Sequence, residues 1–311
     1  MTSAELVQAR PIDRPVVGSR RRRRSLLPYL LLAPALTFLA AFTYWPLLQA
    51  MLSSLSTRRR VNDAGGFAGL DNYQRLLADT DFHSAALNNL LYAAGTVVPS
   101  IAIALAFALA LRESTRLNAV FRAMFFFPTL VPMVAASALF IFILMPDIGL
   151  LDHYLDKLAP HSVNWLGDPR YALASLMALT VWKNAGYYML FFLAGLQGIS
   201  KQLYEAAEID GAGPVGKFWG VTIPMLTPYV FVNLVIGTIG VMQLFTQALV
   251  MTNGGPADST LFIALYIFNS GFRYFEMGYA SAIAWVLMLL IVAITLVQAL
   301  TSKKWVYYES S

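Results

Sequence analysis

Residues 277–302 read MGYASAIAWVLMLLIVAITLVQALTS, a run of 26 residues without Asp, Glu, Lys or Arg. About 20 apolar residues in a helix cross the hydrocarbon core of a bilayer, so this stretch predicts a membrane-spanning helix. Further charge-free windows lie upstream, at 25–57, 82–111 and 123–146. Of the 311 residues, 58% are hydrophobic and only 13% are charged, whereas about 25% are charged in soluble domains. We therefore predict an all-α membrane protein.

The charge-poor windows and the residues that interrupt them define the predicted topology. Six spans are predicted, at 26–55, 85–111, 121–145, 171–198, 229–251 and 277–301. We expect a disordered cytoplasmic tail at 1–25, a transmembrane domain at 26–302 and a cytoplasmic C-terminal tail at 303–311. With both termini in the cytoplasm, the inner segments hold 14 Lys and Arg and the outer segments seven. The positive-inside rule favours this orientation.

Composition argues against several kinds of functional site. The chain has no cysteine, so neither a disulfide nor a thiolate site is possible. The three histidines, His83, His153 and His161, are scattered outside the predicted spans, which argues against a metal or catalytic cluster. The chain lacks the G-x-x-x-x-G-K-[ST] segment that cradles phosphates. We expect no catalytic residue, no metal, no cofactor in this chain and no nucleic-acid partner.

The loop between the fourth and fifth spans is the most informative one, and reads SKQLYEAAEIDGAGPVGKFWGVTIPMLTP over residues 200–228. A short helix is predicted first, with small and apolar groups along one side: Leu203, Ala206, Ala207 and Ile209. The segment 210–214 then ends that helix, because Gly tolerates positive φ and Pro suits the first turn of a new helix. A second short helix is predicted over 215–221, before Pro224. Such a helix–turn–helix suits docking into a groove of a partner.

This loop resembles the EAA loop of binding-protein-dependent ABC importer permeases. The match is carried by Glu205, Ala206, Ala207, Asp210, Gly211, Ala212, Phe218 and Pro224. Val221 and Ile223 replace two aliphatic positions near the end of the family pattern, which are conservative changes. The resemblance implies the type I ABC importer permease fold, with six transmembrane helices and a cytoplasmic coupling loop. It also implies that these residues seat in a cleft of a separate ATPase, where Glu205 makes a charge-assisted contact.

Shorter motifs extend the resemblance across nearly the whole chain and favour the carbohydrate-importer branch. They are Pro46 after an aromatic pair, GLDNY at 69–73, Trp182 with LAGLQ at 193–197, TNGGP at 252–256 and MGYASA at 277–282. Within that branch the chain is similar to the larger maltose permease and to glycerol-3-phosphate permeases. The resemblance implies a bacterial inner-membrane location. It implies as partners a second permease of similar fold, a dimer of ABC ATPases that uses ATP and Mg, an extracytoplasmic solute-binding protein and a sugar-like solute.

A polar and aromatic cluster in the fourth span, WKNAGYY at 182–188, is the candidate solute site. A charge inside a membrane is costly, so Lys183 indicates either a lined cavity or a paired partner. Aromatic rings and amides suit the faces and hydroxyls of sugars. The resemblance to the maltose-type family implies that Trp182, Lys183, Asn184 and Tyr187 contact the solute. The competing interpretation makes the aromatic residues interfacial and Lys183 a snorkelling side chain.

Other polar residues leave alternatives open. Gln243 and Gln247 are four apart in the fifth predicted span, so they share one face, which borders either the solute cavity or another permease helix. Arg273 and Glu276 are predicted to form an ion pair. The alternative function is an ion-coupled secondary transporter or channel, but acidic residues are not found inside the predicted spans. The sequence leaves the solute open among oligosaccharides, polyols and glycerol phosphates.

Overall fold

The computed structural model describes residues 27–57, 63, 65–155 and 163–307. Their regular structure is helical, apart from one isolated bridge between Ser56 and Phe67. The α-helices are α1 Leu27–Leu39, α2 Trp45–Ser54, α3 Asp71–Ala78, α4 Thr80–Ala110, α5 Arg116–Leu130, α6 Met133–Ile143, α7 Leu150–Leu155, α8 Pro169–Gly198, α9 Lys201–Ile209, α10 Pro214–Lys217, α11 Ile223–Met242, α12 Ile263–Phe268 and α13 Met277–Ser302. Four π-helical turns accompany them, at Ala40–Tyr44, Phe218–Thr222, Ala248–Thr252 and Asn269–Arg273.

The chain divides into two units, residues 1–48 and 49–311. In the first unit, α1 continues through the π-helical turn into the start of α2. The second unit contains the remaining helices, the loop 200–228 that is predicted to be cytoplasmic, and the predicted solute-binding residues. The N-terminal tail predicted at 1–25 lies outside the described residues, and the C-terminal tail is described only to residue 307.

Helix length and composition confirm a membrane protein. Within the part of the chain that the structure describes, four helices are long and apolar enough to cross a bilayer: Tyr29–Ser54, Thr80–Ala110, Pro214–Met242 and Met277–Ser302. The pair α5 and α6 makes a fifth if the two are one span. The predicted fourth span forms as α8, a helix of 30 residues that is long enough to cross but more polar than the others.

The third span, predicted as one helix over 121–145, is broken. Helix α5 ends at Leu130 and α6 begins at Met133, with a bend of 98° between them. Pro132 explains the break, because a proline lacks the N–H that continues a helix and restricts the preceding residue to extended backbone. Val131 is extended accordingly, with φ −69° and ψ 127°.

The predicted bounds of the fifth span, 229–251, are wrong at both ends. A continuous helix of 29 residues runs from Pro214 through the π-helical turn to Met242, so the short helix predicted over 215–221 is its first part. Pro228 inside it cannot bond to the carbonyl of Pro224, and the Thr227 hydroxyl donates to that carbonyl instead, at 2.6 Å. The backbone then departs from helical form over 243–245.

Helix α8 is the packing centre of the second unit, where it lies along α4 and also contacts α5 and α11. One buried cluster includes Tyr92, Leu176 and Phe262, and another includes Phe192 and Leu226. The crossing of α8 with α5 depends on a glycine, since a Cβ on Gly186 would lie 1.9 Å from the Phe125 carbonyl oxygen. Small residues at such crossings let membrane helices approach closely.

Candidate functional site

A polar cavity of about 330 Å³ lies where α8 faces the last turns of α11. Four of the six predicted solute residues line it: Asn184, Tyr187, Gln243 and Gln247. The other described residues that line it are Met133, Thr180, Tyr188, Ile236, Gly237, Gly240, Val241, Leu244, Phe245 and Thr246. Side-chain amides, hydroxyls and aromatic rings therefore surround one space. They offer both donors and acceptors to a hydroxylated solute.

The two glutamines reach this cavity in a way that their spacing does not explain. Helix α11 ends at Met242, so Gln243 and Gln247 do not share one face of a continuous helix, as was expected. Gln243 is exposed at the break, whereas Gln247 is buried and donates to the Thr180 hydroxyl at 3.2 Å. Tyr92 joins this network through a 2.5 Å hydrogen bond with Thr180. The break places both amides against the cavity.

Trp182 and Lys183 lie elsewhere. Trp182 borders a separate apolar cavity of about 740 Å³ and packs on Phe140, with ring centroids 5.5 Å apart. Lys183 is only 7% exposed, and its Nζ donates to the carbonyls of Pro128 at 2.9 Å and Val131 at 2.5 Å. The ammonium of Lys183 is therefore held inside the protein and does not extend to the membrane surface, which excludes the snorkelling interpretation. Successive residues of a helix point about 100° apart, so neighbours in WKNAGYY face different surroundings.

Two asparagines that the sequence analysis did not single out connect α4 to backbone groups at the end of α11 and in the loop before α12. Asn89 is fully buried, donates to the Met242 carbonyl at 3.3 Å and accepts from the Ile263 amide at 2.9 Å. Asn88 donates to the carbonyls of Asp258 and Leu261, at 2.8 and 3.0 Å. Their signal in the sequence was a pair of amides inside a predicted span, a placement that usually indicates interhelical hydrogen bonding.

The cytoplasmic-loop candidate forms the predicted helix–turn–helix, which we call the knob (residues 200–222). The Ser200 hydroxyl accepts from the Gln202 amide and caps α9. Helix α9 ends where Gly211 takes a φ of +80°, which lets the Ala212 amide bond to the Ala207 carbonyl at 2.9 Å. An ion pair of 2.7 Å between Glu208 and Lys217 ties the two helices of the knob and lowers the pKa of Glu208.

The inner side of the knob packs on its own chain. Leu203 and Tyr204 pack against the buried cluster that contains Ile199 and Leu226. The Tyr204 hydroxyl also lies 2.9 Å from that of Thr222. Four of the predicted coupling residues are half-buried: Ala207, Ala212, Phe218 and Pro224. Part of each side chain packs within this chain, and part stays open to a partner.

The outer side of the knob exposes apolar groups. Ile209, Val215 and Trp219 are 86%, 71% and 65% exposed. Ile209 borders a small cavity with Glu205 and Glu208. The remaining predicted coupling residues, Glu205, Ala206, Asp210 and Gly211, are also exposed. The apolar side expected for α9 is therefore divided, because Leu203 faces inward and Ile209 faces outward.

A second polar cluster lies at the opposite end of α4 from the knob. The hydroxyls of Tyr266 and Tyr279 donate to the Asp79 carboxylate, the first at 2.5 Å. Burial raises the pKa of Asp79, but these bonds and two backbone amides outweigh it, so its pKa lies below the ordinary value. Arg75 pairs with Glu276 at 2.8 Å and lies 4.0 Å from the centroid of the Tyr279 ring.

The predicted ion pair between Arg273 and Glu276 is wrong. Arg273 donates to the Asn253 side chain at 2.9 Å instead. A π-helical turn ends at Arg273 and the backbone reverses at Phe275, so the two residues do not lie on one helical turn. Among the described residues, no three His, Asp or Glu side chains are grouped so as to hold a metal ion.

Comparison with known proteins gives a family match over residues 100–307, to the model described as "Binding-protein-dependent transport system inner membrane component". The chain is 34% identical to the lactose transport system permease protein LacF of Rhizobium radiobacter over 90% of this chain and 95% of the relative. It is 33% identical to the probable ABC transporter permease protein YurN of Bacillus subtilis, over 89% and 96%. The sn-glycerol-3-phosphate permease UgpA of Agrobacterium fabrum is 32% identical over 91% and 97%.

A solved structure shares the fold. A chain of a bacterial ABC transporter involved in the import of the acidic polysaccharide alginate superposes with a TM-score of 0.79. The alignment covers 90% of this chain and 96% of that one, at 21% sequence identity.

Proposed function

The chain belongs to the family of binding-protein-dependent transport system inner membrane components, and we propose that it lines half of the solute path of an ATP-driven sugar importer. As a permease subunit of the inner membrane it is not catalytic, and ATP hydrolysis belongs to a separate subunit. The observation that carries the proposal is the knob, which presents apolar groups on a polar, exposed helix pair. Exposed apolar patches of this kind indicate a protein-binding surface.

The partner at the knob is an ABC ATPase, of which a dimer would serve this permease and a second permease of similar fold. The exposed Ile209 and Val215 supply an apolar contact to the ATPase cleft, and Glu205 beside them supplies a carboxylate for a charged donor. The remaining partners are a soluble binding protein outside and the surrounding lipid. Both termini are cytoplasmic in this arrangement, as the distribution of Lys and Arg favours.

The solute is a sugar or a related polyhydroxylated compound. This rests on the cavity lined by Asn184, Tyr187, Gln243 and Gln247, and on relatives that are named as transporters of lactose and sn-glycerol-3-phosphate. In an alternating-access cycle, the binding protein delivers the solute to this cavity from outside. Closure of the ATPase dimer then moves the knob, and the movement opens the cavity to the cytoplasm.

The test is copurification of the tagged chain with candidate ABC ATPases, followed by ATP hydrolysis measurements on the reconstituted importer. Ile209→Asp puts a charge on the docking surface, so we expect the ATPase to be lost. The matched control is Leu77→Asp, since Leu77 is a similarly exposed aliphatic residue, at 77% against 86%, on α3 away from the knob. Equal ATPase recovery in the two variants contradicts the docking proposal. Solute movement by the chain alone favours the ion-coupled alternative.

A further inference from the structure

Lys183 is the one basic residue in the middle of a predicted span, and its surroundings suggest a structural task. Its ammonium group is buried and lies at the C-terminal end of α5, where it donates to the carbonyls of Pro128 and Val131. The Thr129 hydroxyl donates in return to the backbone carbonyl of Lys183, at 3.0 Å. These three bonds join α8 to the last turn of α5 and to Val131, which lies in the bend before α6.

The bend creates the need for such a donor. The last carbonyls of a helix lack the usual amide partner four residues on, and Pro132 supplies no N–H to the Pro128 carbonyl, whose backbone partner is the Val131 amide at 3.3 Å. In a membrane, an unsatisfied carbonyl is strongly unfavourable, because no water is present to bond to it. A cation at this position also complements the negative end of the dipole of α5. Lys183 therefore meets two requirements of the broken span at once.

The solute cavity, which Lys183 does not line, has a different electrostatic character. None of the described residues that line it is charged, and its polar groups are amides and hydroxyls. A solute carrying a negative charge would find no charged partner in this half of the solute path, and a buried charge requires a paired partner. The Lys183 ammonium cannot serve as that partner while it is bonded to Pro128 and Val131.

We propose that Lys183 clamps the bend between α5 and α6 instead of contacting the solute, and that the solute accepted by this cavity is an uncharged polyhydroxylated compound. The second half of this inference rests on the proposed importer function, whereas the first half does not. The clamp also bears on the cavity, because Met133, the first residue of α6, is part of its lining. Lys183 is thus a positioning residue for the cavity wall.

The clamp is tested by a distance measurement across the bend. The chain has no cysteine, so spin labels can be attached at Val120→Cys on α5 and Phe142→Cys on α6, both of which are exposed. In lipid nanodiscs, pulsed electron paramagnetic resonance gives the distribution of label separations. We expect a narrow distribution for the wild-type background and a broader or shifted one for Lys183→Met, with a Tm lowered by roughly 5 °C.

Two further variants keep this test decisive. Thr129→Val removes only the hydroxyl bond to the Lys183 carbonyl and should broaden the distribution of label separations less than Lys183→Met does. It also tests the clamp if Lys183→Met does not fold. Gln243→Met alters the cavity lining and should leave the distribution unchanged. An unchanged distribution in both Lys183→Met and Thr129→Val overturns the clamp. This measurement needs no partner protein. It therefore tests the clamp even if no ATPase associates with the chain.

The charge of the solute is tested on the reconstituted importer with neutral glycosides, the uronate counterpart of each glycoside, and sn-glycerol 3-phosphate. We expect the solutes that stimulate ATP hydrolysis to be neutral glycosides. The concentration of each uronate needed for the same stimulation should be roughly tenfold higher or more than that of its neutral counterpart. A uronate or the phosphate that stimulates as well as the neutral solutes overturns the assignment. Loss of stimulation only for anions in Lys183→Met would return Lys183 to the solute site.

Discussion

Gly211 determines how the knob turns. Its φ of +80° lies in the left-handed region, and a Cβ added there would meet open space, so substitution is opposed by backbone conformation alone. Gly211→Ala should destabilise the turn by about 1–2 kcal/mol. Gly213 has equally open surroundings but a φ of −70°, so Gly213→Ala is the matched control. We expect ATPase copurification to fall for Gly211→Ala only. Equal recovery would show that the turn conformation does not matter for docking.

Asp79 gives the chain a dependence on pH. A carboxyl whose pKa is depressed by folding stabilises the folded state above its unfolded pKa of about 3.9 and loses that contribution as pH falls through the folded value. Because the pKa of Asp79 is depressed in the folded state, the Tm of the wild type should decrease as the pH falls below about 4. Asp79→Asn should lower the Tm at pH 7 and flatten this decline.

The tyrosine donors provide an intermediate case for the same titration. Tyr266→Phe removes one of the hydroxyl bonds to Asp79, which moves the folded pKa of Asp79 up toward its unfolded value. The acid-induced decline in Tm should therefore be smaller than in the wild type but larger than in Asp79→Asn. If Tm varies with pH in the same way in the wild type and in Asp79→Asn, the Asp79 carboxyl is not the source of the pH dependence of stability.

At the scale of helices, the contact between α5 and α8 depends on the absence of a side chain at Gly186. Gly186→Ala places a methyl group 1.9 Å from the Phe125 carbonyl oxygen, so the helices must separate, at a cost of about 1–3 kcal/mol. Gly240 also lies within a helix, but a Cβ added there would meet open space, so Gly240→Ala should be neutral or slightly stabilising. Thermal unfolding in detergent distinguishes the two. Equal Tm values would contradict the close crossing.

Helix existence was predictable from the sequence, whereas helix breaks were only partly so. Long apolar runs have few competing structures in a membrane, which is why α4 and α13 lie close to their predicted ranges. The break after Met242 carries no proline. There the Met242 carbonyl accepts from Asn89 of another helix, and such a long-range partner is not visible in local sequence.

The candidate site shows a similar limit. Asn184, Tyr187, Gln243 and Gln247 line one cavity, whereas Lys183 faces the bend of another helix. Apolar residues face both lipid and neighbouring helices in a membrane, so periodicity does not show which side of α8 is interior. The division between solute-lining and structural residues therefore required the packing of α8 against α5. The roles of these residues in transport stay predictions.

The whole molecule is expected to place the knob and α3 on opposite sides of the membrane. The natural absence of cysteine allows single-cysteine labelling without a modified background. Leu77→Cys should react with a membrane-impermeant maleimide in intact spheroplasts, whereas Glu208→Cys should react only after permeabilisation. Both positions are exposed, so accessibility within the fold does not limit either reaction. The reverse pattern would invert the proposed topology and put the termini outside.

The continuous helix from Pro214 to Met242 has a mechanical consequence. Its first turn belongs to the knob, and Gly240 and Val241 near its other end form part of the cavity wall. At 1.5 Å per residue the rod is about 42 Å long, so a tilt of about 5° at one end displaces the other by roughly 3–4 Å. That displacement exceeds the length of a hydrogen bond. In the proposed importer this helix would therefore act as a lever arm, through which a small rotation at the ATPase changes the contacts that the cavity wall makes with the solute.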